Sequence, residues 1–432
     1  MLTAARLGAA ALTAALLTGT AAAPALADSP SPSAAPATPE GLYGKGDPTY
    51  DGVWRQSLAL TALAGAKVTP ADSAVSWLTG QQCADGGWPS FRADTAAACD
   101  ATTEDSNATA VAVQALIALG GHQDAVDKGV QWLKANQNAD GSWSYNPGGP
   151  GDANSTGLAV NALFAAKVDP AGVAKAGKNA FDGLALFQLG CAAPADQRGA
   201  FYLPRPDGTP EANALATGQA SLAAAGGKLP VTNTNRTDAA PKALACGDGS
   251  AAAPGSASAP AGATVARADS AEAVGAYLTA QLAAGGQHLT LTTPGAAPTP
   301  DYTATAWAAL GLIQGGHPQQ AAGAVDWLAK EGGTWTKGGT SPAATATLLL
   351  VAQAAQRDPA SFGGDLVAQL TALGPAPKAT SAASTAAPSS APAKEEKKDG
   401  GIGQWWLIGI GLLIGIGGGL VLSLQRKRGP KL

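Results

Sequence analysis

Few side chains in this 432-residue chain could carry chemistry. Four acids, Asp105, Asp152, Glu211 and Asp301, each stand just before a run of small and apolar residues. A carboxylate pair can act as acid and base in glycoside hydrolysis. Acids that open helices also cap free N–H groups and complement the helix dipole, and that role better explains a pattern that recurs. Asn107, Asn154 and Asn213 follow three of these acids closely. Asp105, Asn107, Asp152, Asn154, Glu211 and Asn213 are therefore the candidate ligand-binding set, able to hydrogen-bond a guest while capping. His122 and His317 each follow a Gly-Gly pair, which points to turn capping rather than metal binding. Four cysteines allow three pairings, of which the local bridges Cys83–Cys99 and Cys191–Cys246 are preferred. No CxxC is present, and no metal, cofactor or thiol chemistry is expected. With a net charge of −4 and its only basic run at the far C-terminus, the chain gives no sign of nucleic-acid binding.

Two stretches share one pattern and fix the elements that must position these groups. Trp77-Leu78, Gln82, Ala84-Asp85-Gly86 and Trp88 recur as Trp132-Leu133, Gln137, Ala139-Asp140-Gly141 and Trp143. A repeat of this length means one supersecondary unit stacked several times. Six helices are expected to begin near Asp51, Asp105, Asp152, Glu211, Asp301 and Ser341. They are almost wholly Ala, Val, Leu and Gly, and a helix apolar all round is buried. Each has a more polar partner, at about 71–82, 123–137, 171–188, 270–281, 318–330 and 359–373. An inner ring inside an outer ring is a six-plus-six α/α toroid, with the inner N-termini around the mouth of a hollow centre. In each motif the Trp-Leu pair ends an outer helix and Asp-Gly turns the chain. The second Trp folds back, and the Gln amide ties the loop to the next helix.

The ends read as transport segments. Arg6, the apolar run Leu7–Leu17 and Ala25-Leu26-Ala27 form an export signal over residues 1–27, followed by a disordered linker at 28–40. The toroid occupies 41–374, with a flexible Ala/Pro/Gly/Ser insert at 248–263, and a low-complexity stalk follows at 375–400. A single C-terminal transmembrane helix is expected within 401–425. Its uncharged stretch Trp405–Leu424 would reach about 30 Å, and the basic tail 426–432 would be cytoplasmic. The ectodomain would then be extracellular on a single-pass cell-membrane protein, in an all-α fold class. Gly411, Gly415 and Gly419 share one helix face and could pair two copies as a homodimer.

Lys128-Gly129, Trp132-Leu133, Gln137 and Gly141-Ser142-Trp143 resemble the QW motif of the prenyltransferase and squalene-cyclase repeat superfamily. Trp77, Gln82, Gly86 and Trp88 match it again. Weaker copies sit at Leu184 with Gln188, Tyr277-Leu278 with Gln281, and Trp327-Leu328 with Trp335. The motif implies the fold and not the activity.

The resemblance covers triterpene cyclases, protein prenyltransferase β subunits, complement-like thioester domains and corrinoid carriers such as transcobalamin and intrinsic factor. The DxDD acid motif is absent; the nearest acidic cluster, Asp100 to Asp105, does not match it. DDxxD, a zinc-ligand set and the Cys-Gly-Glu-Gln thioester are absent too. The character is closest to the non-catalytic carrier branch. The expectation is extracellular binding of a partly apolar guest, corrinoid- or isoprenoid-like, for uptake through a membrane importer, with a companion β domain completing the site. Two alternatives stay open: a divergent prenyltransferase or terpene-cyclase-type enzyme, and a surface scaffold for another protein.

Overall fold

Helices of two kinds alternate along the chain, as their composition demands. The structure, a computed structural model, describes residues 39–379 except 206, 233–234, 238, 248–264 and 293–296. All of these fall in one compact unit, Met1–Thr380. The apolar helices are α1 (Gly52–Gly65), α3 (Ser106–Leu119), α5 (Ala153–Ala165), α7 (Ala214–Ala224), α9 (Tyr302–Gln314) and α11 (Pro342–Ala354). Each packs on the next, and α11 packs back on α1, so the six close a ring. The Gln353 amide seals the last joint by donating to the Ala62 carbonyl at 2.8 Å.

The outer helices are α2 (Asp72–Gly80), α4 (Gln123–Ala135), α6 (Ala180–Ala185), α8 (Arg267–Ala284), α10 (Pro318–Trp335) and α12 (Leu366–Ala372). They bury one face against the ring, as α4 does with Val126, Val130 and Leu133.

The centre of the ring is filled. Every residue of α5 except Phe164 is buried, and α9 is buried from Ala304 to Ile313. Small residues let the backbones approach: a β-carbon at Gly218 would lie 2.9 Å from the Ala304 carbonyl oxygen. The loop 226–231 crosses the end where the inner helices finish. Its Leu229 N–H donates to Gln114 of α3 at 2.9 Å, and a β-carbon at Gly227 would meet Gln314 of α9. The hollow centre expected from the small inner side chains is thus not what those side chains build. They draw the helices together rather than leaving room.

Two parts of the expected fold class are corrected. Among the described residues, no helix is long and apolar enough to cross a membrane; α8 and α10, the longest at 18 residues, carry polar outer faces. The expected span at 401–425, its face of Gly411, Gly415 and Gly419, the cytoplasmic tail and the export signal all lie outside the described residues. The chain is also not purely helical. Residues 171–188 hold a 3-10 turn and a two-stranded antiparallel ladder, β1 (Ala174–Lys175) with β2 (Lys178–Asn179), before the short α6. Ala176 and Gly177 both take positive φ there, which no helix tolerates, and Asn179 with Asp182 forms a capping box that starts α6 late. A second ladder joins β3 (Thr290–Leu291) to β4 (Thr299–Pro300). Positive φ at Gly363 and Gly364 likewise delays α12.

The repeated loops are joints. The Trp88 indole donates to the Leu78 carbonyl at 2.9 Å, and Trp143 to Leu133 at 2.8 Å. The Gln82 amide donates to Gly86 within its own loop and to Ala125 of α4, at 3.0 and 2.9 Å. Gln137 repeats this with Gly141 and Val173, and Gln188 with Gly199 and Ser270. Both loops need their glycine: Gly86 and Gly141 lie at φ +106° and +88°, and a β-carbon at Gly141 would strike the Asn179 carbonyl oxygen. Replacing the buried Gln137 with Leu removes both donors. We expect a loss of about 2–3 kcal/mol in denaturant unfolding at unchanged slope; a midpoint equal to that of the parent would show that the amide does not hold the joint.

Candidate ligand-binding site

Of the six candidate residues, Asp105, Asp152, Asn154 and Asn213 hold the inner helices themselves. Asp105 is the N-cap of α3, and its carboxylate accepts from Asn107 N–H at 2.7 Å, Ala108 N–H at 3.0 Å and the Ser90 hydroxyl at 3.1 Å. Asp152 caps α5 by accepting from the Ser155 N–H and hydroxyl. Burial pushes both carboxyls above their ordinary range, and the N–H donors pull them back. Asn213 caps α7 through Ala216 N–H. Glu211 does not cap; it pairs at the surface with Arg205. Asn154 is buried and donates to Gln219 of α7. Asn107 lies half-buried at the start of α3, its side-chain oxygen buried without a partner.

The histidines correct the expected turn capping. His122 and His317 do stand at the N-cap positions of α4 and α10, but neither side chain caps. The His317 ring instead lies between the Ala239 carbonyl at 3.1 Å and the Glu272 carboxylate at 3.2 Å, clamping the loop that leads to Cys246. The bridges Cys83–Cys99 and Cys191–Cys246 are both formed.

A buried acid escaped the sequence reading. Glu104 precedes the α3 cap and lies within the acidic cluster Asp100 to Asp105. It is 2 % exposed, receives the Trp132 indole N–H, and shares a hydrogen bond with the Asp85 carboxyl. Burial first, and the Asp85 charge second, push its carboxyl up to about 7. Both partners belong to the repeated motifs, so Glu104 links one motif loop to the next outer helix. Among the described residues, Cys83, Cys99 and Glu104 form the one cluster with metal-ligand spacing. Its two sulfurs are bonded to each other and offer no thiolate.

A second regularity lies in the spacing of four threonines. Thr109, Thr156, Thr217 and Thr305 stand early in four inner helices. Each hydroxyl accepts the backbone N–H of the preceding loop, from Trp88, Trp143, Phe201 and Leu289, at 2.9–3.0 Å.

Space for a guest lies outside the ring, where α6 is too short to cover its neighbours. A cleft of about 440 Å³ opens between α6 and the start of α8. Phe181, Leu184, Leu186 and Ala224 give it an apolar wall, and Arg267 and Lys178 bring cations to it. The Arg267 guanidinium lies 4.0 Å over the Phe181 ring and donates to the Ala224 carbonyl at 3.0 Å. A smaller cavity of about 160 Å³ lies under the loop at Lys228–Pro230.

Residues 41–164 match the family model of the squalene-hopene cyclase C-terminal domain. A crystal structure of a protein from Actinoplanes aligns over 74% of this chain and 95% of that one, at 16% identity and a TM-score of 0.43. No curated protein matches. The matched residues hold both full copies of the Trp/Gln loop, each closed by its indole and amide hydrogen bonds, and over this stretch the chain is similar to the squalene-hopene cyclase C-terminal domain.

Proposed function

We propose that this chain is an exported binding protein for a small, partly apolar molecule, and that the guest sits in the cleft between α6 and α8. The observation that carries this reading is the cleft itself. Its volume falls within the range of about 300–1,000 Å³ typical of small-molecule sites, with an apolar wall of Phe181, Leu184 and Leu186 and polar groups from Asp140, Lys178, Asn179, Asp182 and Arg267 around it. The filled ring and the capping duties of Asp105, Asp152 and Asn213 speak against a guest in the ring. Of the guests considered, an isoprenoid-like chain suits the cleft, and a corrinoid with its nucleotide tail is too large for it. Two disulfides support export to an oxidising compartment.

Native mass spectrometry of the full chain purified from its own host tests this. A retained small molecule that is lost in Ala171→Trp, a change at an exposed position on the cleft rim, is the expected result. Turnover of prenyl diphosphates or squalene would overturn the reading in favour of an enzyme. A co-purifying protein with no small molecule would overturn it in favour of a scaffold.

A further inference from the structure

We infer that the Cys83–Cys99 bridge is a site of thiol–disulfide exchange with a dithiol reductant, and that Glu104 supplies the proton that the Cys83 sulfur takes when the bridge opens. The site shares no residue with the α6–α8 cleft. A carboxyl oxygen of Glu104 lies within 4.8 Å of both sulfurs. The acid is fixed there by contacts that do not involve the bridge. Its backbone pairs with Pro89 in an antiparallel bridge, and its carboxyl receives the Trp132 indole N–H. Opening the disulfide therefore leaves Glu104 in place, and one side-chain rotation of the freed Cys83 sulfur can close the gap to it.

Access decides which sulfur is attacked. Cys83 is 4 % exposed, out of reach of an outside thiol. Cys99 is half-buried and follows the exposed stretch 93–98, which lies outside any helix. A donor thiolate attacks the Cys99 sulfur, the S–S bond breaks, and its electron pair goes to Cys83. A thiolate at that buried position is unfavourable. An ordinary thiol has a pKa of about 8.5. Burial first, and the Asp85 charge second, place the Glu104 carboxyl at about 7, with Arg92 opposing the rise. The proton therefore moves downhill from Glu104 to Cys83.

The second donor thiol then gives its proton to water, attacks the donor sulfur of the mixed disulfide and expels Cys99. Cys99 and the Glu104 carboxylate both take protons from water. The donor is oxidised by two electrons to a disulfide, and the bridge becomes two thiols. The loop that the bridge closes keeps its other ties. The Arg92 guanidinium donates to the carbonyls of Gln82, Thr95 and Ala97 at 3.1, 2.9 and 2.6 Å, and its backbone N–H donates to Gln81 Oε1 at 2.6 Å. Both cysteines thus stay near each other, and the bridge can form again.

The test is reduction of the full chain by dithiothreitol, stopped by alkylation, with each bridge followed by mass spectrometry of the digest. Rates are divided by the concentration of dithiothreitol thiolate. For Cys83–Cys99 the corrected rate is expected to fall about 10-fold or more between about pH 6 and about pH 8.5, as Glu104 loses the proton it donates. Glu104→Gln is expected to flatten this profile at its lower level and to leave the Cys191–Cys246 rate as in the parent. Asp85→Asn keeps an acceptor for the Gly87 N–H and removes the charge that raises Glu104. It is expected to move the midpoint to lower pH, which a merely structural role of these acids would not do. With glutathione, a monothiol, the trapped mixed disulfide is expected on Cys99. A flat profile in the parent, the parental profile in Glu104→Gln, an unmoved midpoint in Asp85→Asn, or glutathione on Cys83 overturns the proposal.

Discussion

Trp143→Ala is expected to cost about 3–5 kcal/mol, enough to open the second repeat. The side chain is fully buried, and its removal leaves a cavity in a wall that small residues cannot collapse to fill. The Leu133 carbonyl also loses its indole donor. That carbonyl closes α4, so the loss spreads to the helix on which Gln137 and Gly141 depend. With a whole-domain stability on the order of 5–15 kcal/mol, the change removes a large share of it. Trp143→Phe separates the two contributions, because it keeps most of the volume and removes the N–H; a loss of about 1–2 kcal/mol is expected. Trp335 supplies the internal contrast. It aligns with the second Trp of a weak motif copy, but α10 continues through it. It stacks half-buried on Tyr302 at 5.9 Å instead of sealing a turn. Trp335→Ala should cost no more than about 1.5 kcal/mol. Equal losses at 143 and 335, measured by denaturant unfolding, would show that the turn geometry does not matter.

The second large effect is on pH dependence. The Glu104 carboxyl is held up near 7 by burial and by Asp85, against an ordinary value of 4.5. The folded state therefore binds a proton that the unfolded chain has released. Stability is full below about 4.5, falls as pH rises from 4.5 to 7, and stays lower above that. The drop is about 1–3 kcal/mol. The charged groups that face Glu104 are Asp85, which raises it, and Arg92, which opposes the rise. Asp105 and Asp152, also raised by burial, add to the fall in the same direction. Glu104→Gln keeps an acceptor for the Trp132 indole and gives Asp85 a permanent donor. It should leave stability unchanged at pH 4.5, raise it by about 1–3 kcal/mol at pH 8, and flatten the profile between. Parallel profiles for parent and variant would place the titration elsewhere.

What the sequence revealed follows from the reach of local patterns. Four of the inner helices, α3, α5, α7 and α9, begin where an acid or an Asn precedes small residues and caps them, because capping is chemistry between a residue and its next three neighbours. The Trp/Gln joints were legible for the same reason. The interior of the ring was not: Gly218, Gly311 and their Ala neighbours read as room for a guest. Only the assembled ring shows backbones brought into contact through them. The third outer helix failed because Ala- and Lys-rich composition favours a helix, whereas Ala176 and Gly177 turn the chain at positive φ. The cleft could not be seen at all. Phe181 and Arg267 lie on different helices with an insert between them, and no spacing rule joins them. Glu104 hides beside a better-known role, since the carboxylate next to it is the cap.

The claim on which the account turns is that the guest sits outside the ring and that the acids at its mouth are caps. Retention of the small molecule carried from the host by Ala171→Trp and by Asp152→Asn, read by native mass spectrometry, tests it most directly. Asn is as good an N-cap as Asp, so the second variant keeps the fold and removes only the charge. Loss of the small molecule in Ala171→Trp with parental retention in Asp152→Asn is the predicted result; the reverse pattern would contradict the account.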